Sequence, residues 1–148
     1  MSDFTEFALQ NWLLFLALFA ITGMLVGGEI LRRIRGVSTL DAAGALKERG
    51  IKARVIDMST LKPLDEDAVL EAARATNAIV TIEDHSLIGG LGSAVAQLLA
   101  EKHPCHVKCI GIPDVFGESG PSEVLYAKHH MDVPSIVAAA EQVVAKKK

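Results

Sequence analysis

The sequence has few aromatic residues, few cysteines and no excess of basic residues. Aromatic residues make up 5% and hydrophobic residues 50% of 148 positions, so the core is expected to be aliphatic. The formal net charge is −3 and no basic stretch is interleaved with aromatics, so nucleic acid is not an expected partner. Cys105 and Cys109 are too few and too close together for a disulfide framework, and their spacing from His103 and His106 does not fit a zinc site.

One long stretch near the N-terminus lacks charge. Residues 7–28 contain no charged side chain, and as a helix they would reach about 33 Å, which is enough for a hydrocarbon core of about 30 Å. Arg32, Arg33 and Arg35 follow, and the positive-inside rule places the side after them in the cytoplasm. Residues 1–38 are therefore predicted to be a single-pass anchor in the inner (cytoplasmic) membrane, with residues 39–148 as a soluble domain in the cytoplasm.

The remainder alternates between helix and strand signals. Helices are predicted over residues 40–49, 65–75, 92–100, 122–129 and 134–145, and strands over residues 53–58, 78–82 and 107–112. Gly50 is a helix-ending residue and Asp65 a capping residue. This order predicts a three-layer α/β domain with a mostly parallel sheet, because parallel strands are joined by crossover helices. Its length suits one domain with its own core.

Polar residues and glycines follow two of the predicted strands. Free N–H groups at the helix start over residues 89–93 could bind an anion, or the glycines could let the helix pack close to the sheet, and the residues leave both interpretations open. Parallel strands end at one edge, so the loop after residue 112 could share this site or interface. No nucleophile, paired carboxylate or metal set converges by spacing, so no catalytic, cofactor-binding or metal-ligating residue is predicted. The candidate anion-binding or interface residues are Glu83, Asp84, His85, Gly89, Gly90, Gly92, Ser93, Asp114, Glu118 and Ser119.

Several motifs occur together in one order. They are LKERGI (46–51), VIDM (55–58), LKPLD (61–65), IVTIE (79–83), HS (85–86), GGLG (89–92) and FGESG (116–120). With these motifs, residues 45–144 resemble the C-terminal domain of transketolases, in particular the family in which the enzyme is split into two subunits. The resemblance implies an enzyme that moves two-carbon ketol units between sugar phosphates on thiamine diphosphate and a divalent metal, Mg²⁺. It also implies that two upstream domains hold the cofactor and that this domain packs against them and helps to set the dimer.

The sequence departs from that family in two ways. The two cofactor-holding domains are missing, so the resemblance implies that this chain alone binds no thiamine diphosphate and does not turn over. The family's domain also begins with an additional strand, and here that position holds the apolar segment and its arginines, which predicts an exposed sheet edge. The expected partners are the membrane and either further copies of this chain or a transketolase N-terminal subunit.

The N-terminal part has its own resemblance. Residues 7–38, with NWLLF (11–15) and GGEILRR (27–33), are similar to the anchor of bacterial membrane-bound rhodanese-like proteins. Those proteins carry sulfur on a cysteine that opens a loop ending in arginine, and no such loop follows Cys105 or Cys109. The leading hypothesis is an assembly part of a ketol transferase that is not catalytic alone. The alternative is a small-anion or metabolite-binding module at residues 89–93, and sulfur transfer is least favoured.

Overall fold

The structure is a computed structural model that describes residues 39–147. Within this range the chain forms five helices and two strands. In chain order these are α1 Thr39–Glu48, α2 Glu66–Thr76, β1 Ala78–Ser86, α3 Leu91–Lys102, β2 His106–Ile112, α4 Ser122–Lys128 and α5 Val133–Ala145.

The two strands form a parallel pair between two layers of helices. Ala78 is opposite His106 and Ile82 is opposite Ile110, and the register shifts before Ser86 meets Ile112. Alternate side chains of a strand point to opposite faces, and here the even-numbered ones, such as Val80, pack with α1 and α5. Ile79 and Val107 pack with α2 and α3 on the other face. The predicted three-layer α/β arrangement with a parallel sheet is confirmed.

The helix ends follow the local sequence. Gly50 has φ +78°, and the amides of Gly50 and Ile51 donate to the carbonyls of Lys47 and Leu46, which forms a Schellman motif. Ile51 and Leu46 also pack in the same cluster. At the start of α2 the Asp65 carboxylate accepts a hydrogen bond from the amide of Ala68 at 3.0 Å, which confirms the predicted cap.

The strand predicted over residues 53–58 is wrong. These residues are irregular in the structure, and Val55 is 41% exposed. An apolar, β-branched sequence forms a strand when a neighbouring backbone pairs with it, and no described residue pairs with this segment. In contrast, β1 continues through polar residues to Ser86, beyond its predicted end at residue 82, because β2 supplies a partner there.

The predicted membrane span, residues 7–28, lies outside the described residues, as does the rest of the predicted anchor up to residue 38. Among residues 39–147 no helix has the length and hydrophobicity needed to cross a bilayer.

Candidate functional site

The carboxyl end of β1 is built around the side chain of Glu83. Its two carboxylate oxygens accept hydrogen bonds from the backbone amides of Leu91 at 2.7 Å and Gly92 at 2.8 Å. These amides open α3, and the first amides of a helix have no partner within the helix. A negative charge at this point is also favoured by the helix dipole. Glu83 therefore caps α3 across the loop that separates the helix from the strand.

Two glycines make this close approach possible. A Cβ atom at Gly90 would collide with the carboxylate of Glu83. A Cβ atom at Gly92 would lie 2.8 Å from the Cys109 Sγ and 3.0 Å from the Thr81 Oγ1, which is too close for van der Waals contact. The glycines thus allow the carboxylate to reach the helix and the helix to reach the sheet, so the packing interpretation of the glycine loop accounts for both positions.

Serine side chains fix the rest of this loop. The Ser93 hydroxyl accepts a hydrogen bond from the amide of Gly89 at 3.0 Å and donates one to the carbonyl of Leu87 at 2.9 Å. The Ser86 hydroxyl accepts one from the amide of Ile88 at 3.2 Å. The loop between β1 and α3 therefore has its own hydrogen-bond network and does not require a ligand to order it.

A hydrogen bond joins α4 to the end of β1. The Tyr126 hydroxyl donates to the Asp84 carboxylate at 2.9 Å. Partial burial, followed by this hydrogen bond and the Asp84 charge, raises the pKa of Tyr126 above its ordinary value. The neighbouring His85 side chain is exposed, and its Nδ1 lies 3.1 Å from the carbonyl oxygen of Ser86.

The second predicted loop, residues 113–121, leaves the same edge of the sheet. Ser86 and Ile112 are register partners, so the loops after the two strands begin side by side, as the sequence predicted. Glu118 accepts hydrogen bonds from the Lys128 ammonium at 2.6 Å, and this cation lowers the pKa of the Glu118 carboxyl. Asp114 and Ser119 are exposed. Of the candidate residues, Glu83, Ser93, Asp84 and Glu118 make side-chain contacts that hold loops or helices at this edge.

The geometry does not favour an external anion at the start of α3. The amides of Leu91 and Gly92 already bind the carboxylate of Glu83, and that charge would repel an approaching phosphate. The anion-binding prediction for residues 89–93 stays a prediction with no support from these contacts.

The described residues also do not fit a thiamine diphosphate and Mg²⁺ site of their own. Over residues 39–147 no three His, Cys, Asp or Glu side chains come close enough together to hold a metal ion. A diphosphate would need free backbone amides at a helix start, and at α3 the Glu83 carboxylate already accepts hydrogen bonds from those amides. We therefore assign no step of any reaction to a cofactor held by residues 39–147.

Two residues that contact this edge were not identified as candidates from the sequence. Tyr126 bonds to Asp84 across 42 positions, and Lys128 bonds to Glu118 across 10. No local pattern marks such pairs. The contact of Tyr126 with Asp84 can be predicted only when the path of the Gly/Pro-rich loop before α4 is known.

Comparison with known proteins places this domain among transketolases. The family described as transketolase, C-terminal domain, matches residues 37–136. A 6-deoxy-6-sulfo-D-fructose transketolase subunit, SqwH, of Clostridium sp. is 40% identical over 82% of this chain and 38% of its own length. An apulose-4-phosphate transketolase subunit of Phocaeicola vulgatus is 44% identical over 68% of this chain and 32% of its own.

A solved structure is similar to the same region. It is described as a split gene transketolase in an inactive beta4 tetramer, and it superposes with a TM-score of 0.70 and 48% identity over 74% of this chain and 36% of that chain. The chain thus spans between 32% and 38% of the length of these three relatives. None of these matches supports the rhodanese-like resemblance predicted for residues 7–38. From the family match and the two related subunits, the chain belongs to the transketolase C-terminal domain family.

Proposed function

We propose that this chain is an assembly part of a thiamine-diphosphate-dependent ketol transferase and that it acts with a partner transketolase subunit. The observation that carries the proposal is the family match over residues 37–136, in a chain that spans 38% of a related transketolase subunit. Thiamine diphosphate, when bound by such an assembly, supplies the stabilisation of carbanions that ketol transfer requires. We assign no catalysis to this chain alone, since the Glu83 carboxylate occupies the first amides of α3.

The carboxyl edge of the sheet supports a role in assembly. Four large apolar side chains are exposed on its two loops and on α4, with Phe116 99% exposed. Exposed apolar groups of this size are a common feature of protein interfaces. The contacts of Ser93 and Tyr126 hold the loop that carries Ile88 and the helix that carries Val124. The carboxyl-edge surface, as we name it, consists of Ile88, Val115, Phe116 and Val124.

The test is an activity assay of the full-length chain alone and after mixing with a transketolase N-terminal subunit. Both samples receive thiamine diphosphate, Mg²⁺ and a panel of ketose and aldose phosphates. We expect ketol transfer from the mixture and none from the chain alone. Activity of the chain alone would disprove the proposal, and so would a mixture that neither associates nor turns over.

Two variants separate assembly from folding in this assay. Phe116→Ser removes the most exposed aromatic group of the carboxyl-edge surface and is expected to weaken association with the partner subunit at least about tenfold. Leu40→Ser is the matched control, because Leu40 is also exposed (74%) but lies on α1. If both variants weaken association equally, the carboxyl-edge surface is not the interface.

We further propose that residues 7–28 anchor the chain in the inner membrane, with the domain in the cytoplasm. The uncharged run and the arginines after it support this proposal. The test is fractionation of cells that express the full-length chain. We expect it in the membrane pellet, resistant to carbonate and released by detergent. Release by carbonate alone would contradict the anchor.

A further inference from the structure

A cavity of about 590 Å³ runs along one side of β1. Its walls come from α1 and α5 on one face and from α2 and α3 on the other, and residues 52–58 close it opposite the strand. We call this cavity the slot. Its lining is mainly apolar and includes Leu46, Ile136, Val69 and Val95. A strand buried between two layers of helices needs an apolar surface on both faces, and the slot provides that.

The backbone on both sides of the slot has unused hydrogen-bonding groups. β1 pairs with β2 along its other edge, and over residues 79–82 no bond joins the slot edge to another described backbone. Residues 52–58 likewise make no backbone hydrogen bond within the described part of the chain. An edge of this kind is a template for pairing with another strand.

The dimensions match one short strand. The lining takes in β1 from Ala78 to Ile82, which is about 16 Å of extended chain. It also takes in α5 from Ile136 to Val144, which spans about 12 Å of helix, and Lys147 just after the helix. An extended segment of about five residues would therefore fill the slot from end to end.

The charged residues of the slot lining favour one orientation of a bound extended segment. α5 starts beside the carboxyl end of β1, because α4 is tied there by Tyr126 and Asp84, so Lys147 lies toward the opposite end, where β1 begins. Lys52, just after Ile51 at the start of the slot wall, adds a second cation to the lining, which also includes Asp57 and Arg54, the latter paired with Glu71. An acidic residue at the amino end of a strand parallel to β1 would lie near these cations.

We propose that the slot binds an extended apolar segment of a partner protein chain as an additional strand. The segment runs parallel to β1, fills about five positions and carries an acidic residue at its amino end. This mode of binding adds main-chain hydrogen bonds on both sides and takes specificity from the apolar walls. It does not depend on the proposed ketol-transfer role.

The probe is a synthetic peptide, acetylated, amidated and fluorescent at its carboxyl end, with the sequence DEVIVTV. It is titrated with the full-length chain and followed by fluorescence anisotropy. We expect saturable binding that is about tenfold tighter than that of a version N-methylated at alternate residues, which cannot make the main-chain bonds. The rearranged peptide VIVTVED, with its acids at the wrong end, is expected to bind more weakly than DEVIVTV.

Two variants of α5 test the location. Ala140→Phe fills the slot and is expected to abolish binding of the peptide, whereas Ala138→Phe, on an exposed position outside the slot lining, is expected to leave it unchanged. Circular dichroism confirms that both variants fold. Absence of saturable binding, equal binding of the N-methylated peptide, or retention of binding by a folded Ala140→Phe variant would each overturn the proposal.

Discussion

The two flanks of β1 differ in how their backbones are paired. On one flank β2 pairs with it in register and α3 packs against both strands through Gly92. On the other flank residues 52–58 pass alongside without a backbone hydrogen bond to a described residue, and a cavity of about 590 Å³ separates them from the strand. Both flanking sequences mix β-branched residues with charged ones, so composition does not explain the difference.

The difference shows that pairing, and not propensity, decides which of these segments is a strand. The sequence around Val107 has a neighbour whose register continues from Ala78 to Ile82. The sequence around Val55 has none among the described residues, so it gains nothing from an extended conformation beyond the packing of Ile51 and Met58. We refer below to the closed flank, with β2, and the open flank, with the slot.

The largest contrast is expected for truncation of one isoleucine on each flank. Ile110 on β2 is 6% exposed, so Ile110→Ala should lower the free energy of unfolding by about 3–4 kcal/mol. Ile56 on the open flank is partly exposed, and Ile56→Ala should cost about 1 kcal/mol. Urea unfolding of both variants measures the difference. Equal losses would mean that the open flank is as tightly packed as the closed one.

The next largest change in the free energy of unfolding is expected when a methyl group is added to a helix. Gly92→Ala would place Cβ 2.8 Å from the Cys109 Sγ, so we expect a loss of about 2 kcal/mol as α3 moves away from the sheet. Gly44→Ala is the matched control, because a Cβ in α1 meets no atom within 4 Å. It should stabilise the domain by about 0.5–1 kcal/mol through helix propensity. Thermal unfolding distinguishes the two, and a neutral Gly92→Ala would contradict the close packing.

Removal of the Glu83 carboxylate tests the cap of α3. Glu83→Ala leaves the amides of Leu91 and Gly92 without their acceptors, and we expect a loss of about 1.5–2 kcal/mol. Glu83→Gln keeps one acceptor oxygen and should lie between wild type and Glu83→Ala. Hydrogen exchange at the two amides measures the effect directly. Unchanged protection in Glu83→Ala would show that the carboxylate does not hold the helix start.

A smaller effect is expected where α4 meets β1. Tyr126→Phe removes the hydrogen bond to Asp84 and should cost about 0.5–1 kcal/mol at neutral pH. Because the folded-state pKa of Tyr126 is raised, its contribution is complete below the unfolded pKa and is lost as the pH rises through the folded pKa. Wild type and Tyr126→Phe should therefore converge in stability in alkaline solution. Ultraviolet titration of the phenol gives the pKa, and an ordinary value would contradict the contact.

The smallest effect concerns an exposed ion pair. The pKa of Glu118 is lowered by Lys128, and Lys128→Gln should return it to the ordinary range. The contribution of this pair is present above the unfolded pKa of Glu118 and is lost as the pH falls through the folded value. Carbon-detected NMR titration follows the carboxyl directly. High salt should reproduce most of the change in the wild-type chain, since exposed pairs are screened.

Local signals predicted much of this fold. Gly50, Asp65 and the alternation of helix and strand patterns placed the elements to within a few residues, because caps and periodicity depend on neighbouring residues. The meeting of both loops at one edge followed from the parallel topology. The family itself was indicated by the ordered motifs, and the match over residues 37–136 confirmed it.

Contacts between distant residues could not be predicted in the same way. The role of Val55 depends on whether a partner backbone lies beside it, and the contact between Tyr126 and Asp84 depends on the path of a whole loop. Glu83 was singled out from the sequence, but its use as a cap on α3 required the distance between a strand end and a helix start. These are properties of the assembled fold, and single positions do not encode them.

The Schellman motif at the end of α1 has a consequence for the irregular segment that follows. The amide of Ile51 is fixed there by its hydrogen bond to the carbonyl of Leu46, and Met58 is fixed at the other end by its packing against the cluster that includes Val69 and Val95. The segment is therefore held at both ends, with its endpoints already aligned along the slot. A bound strand would have to straighten only a short span of backbone, so the loss of conformational entropy on binding would be small.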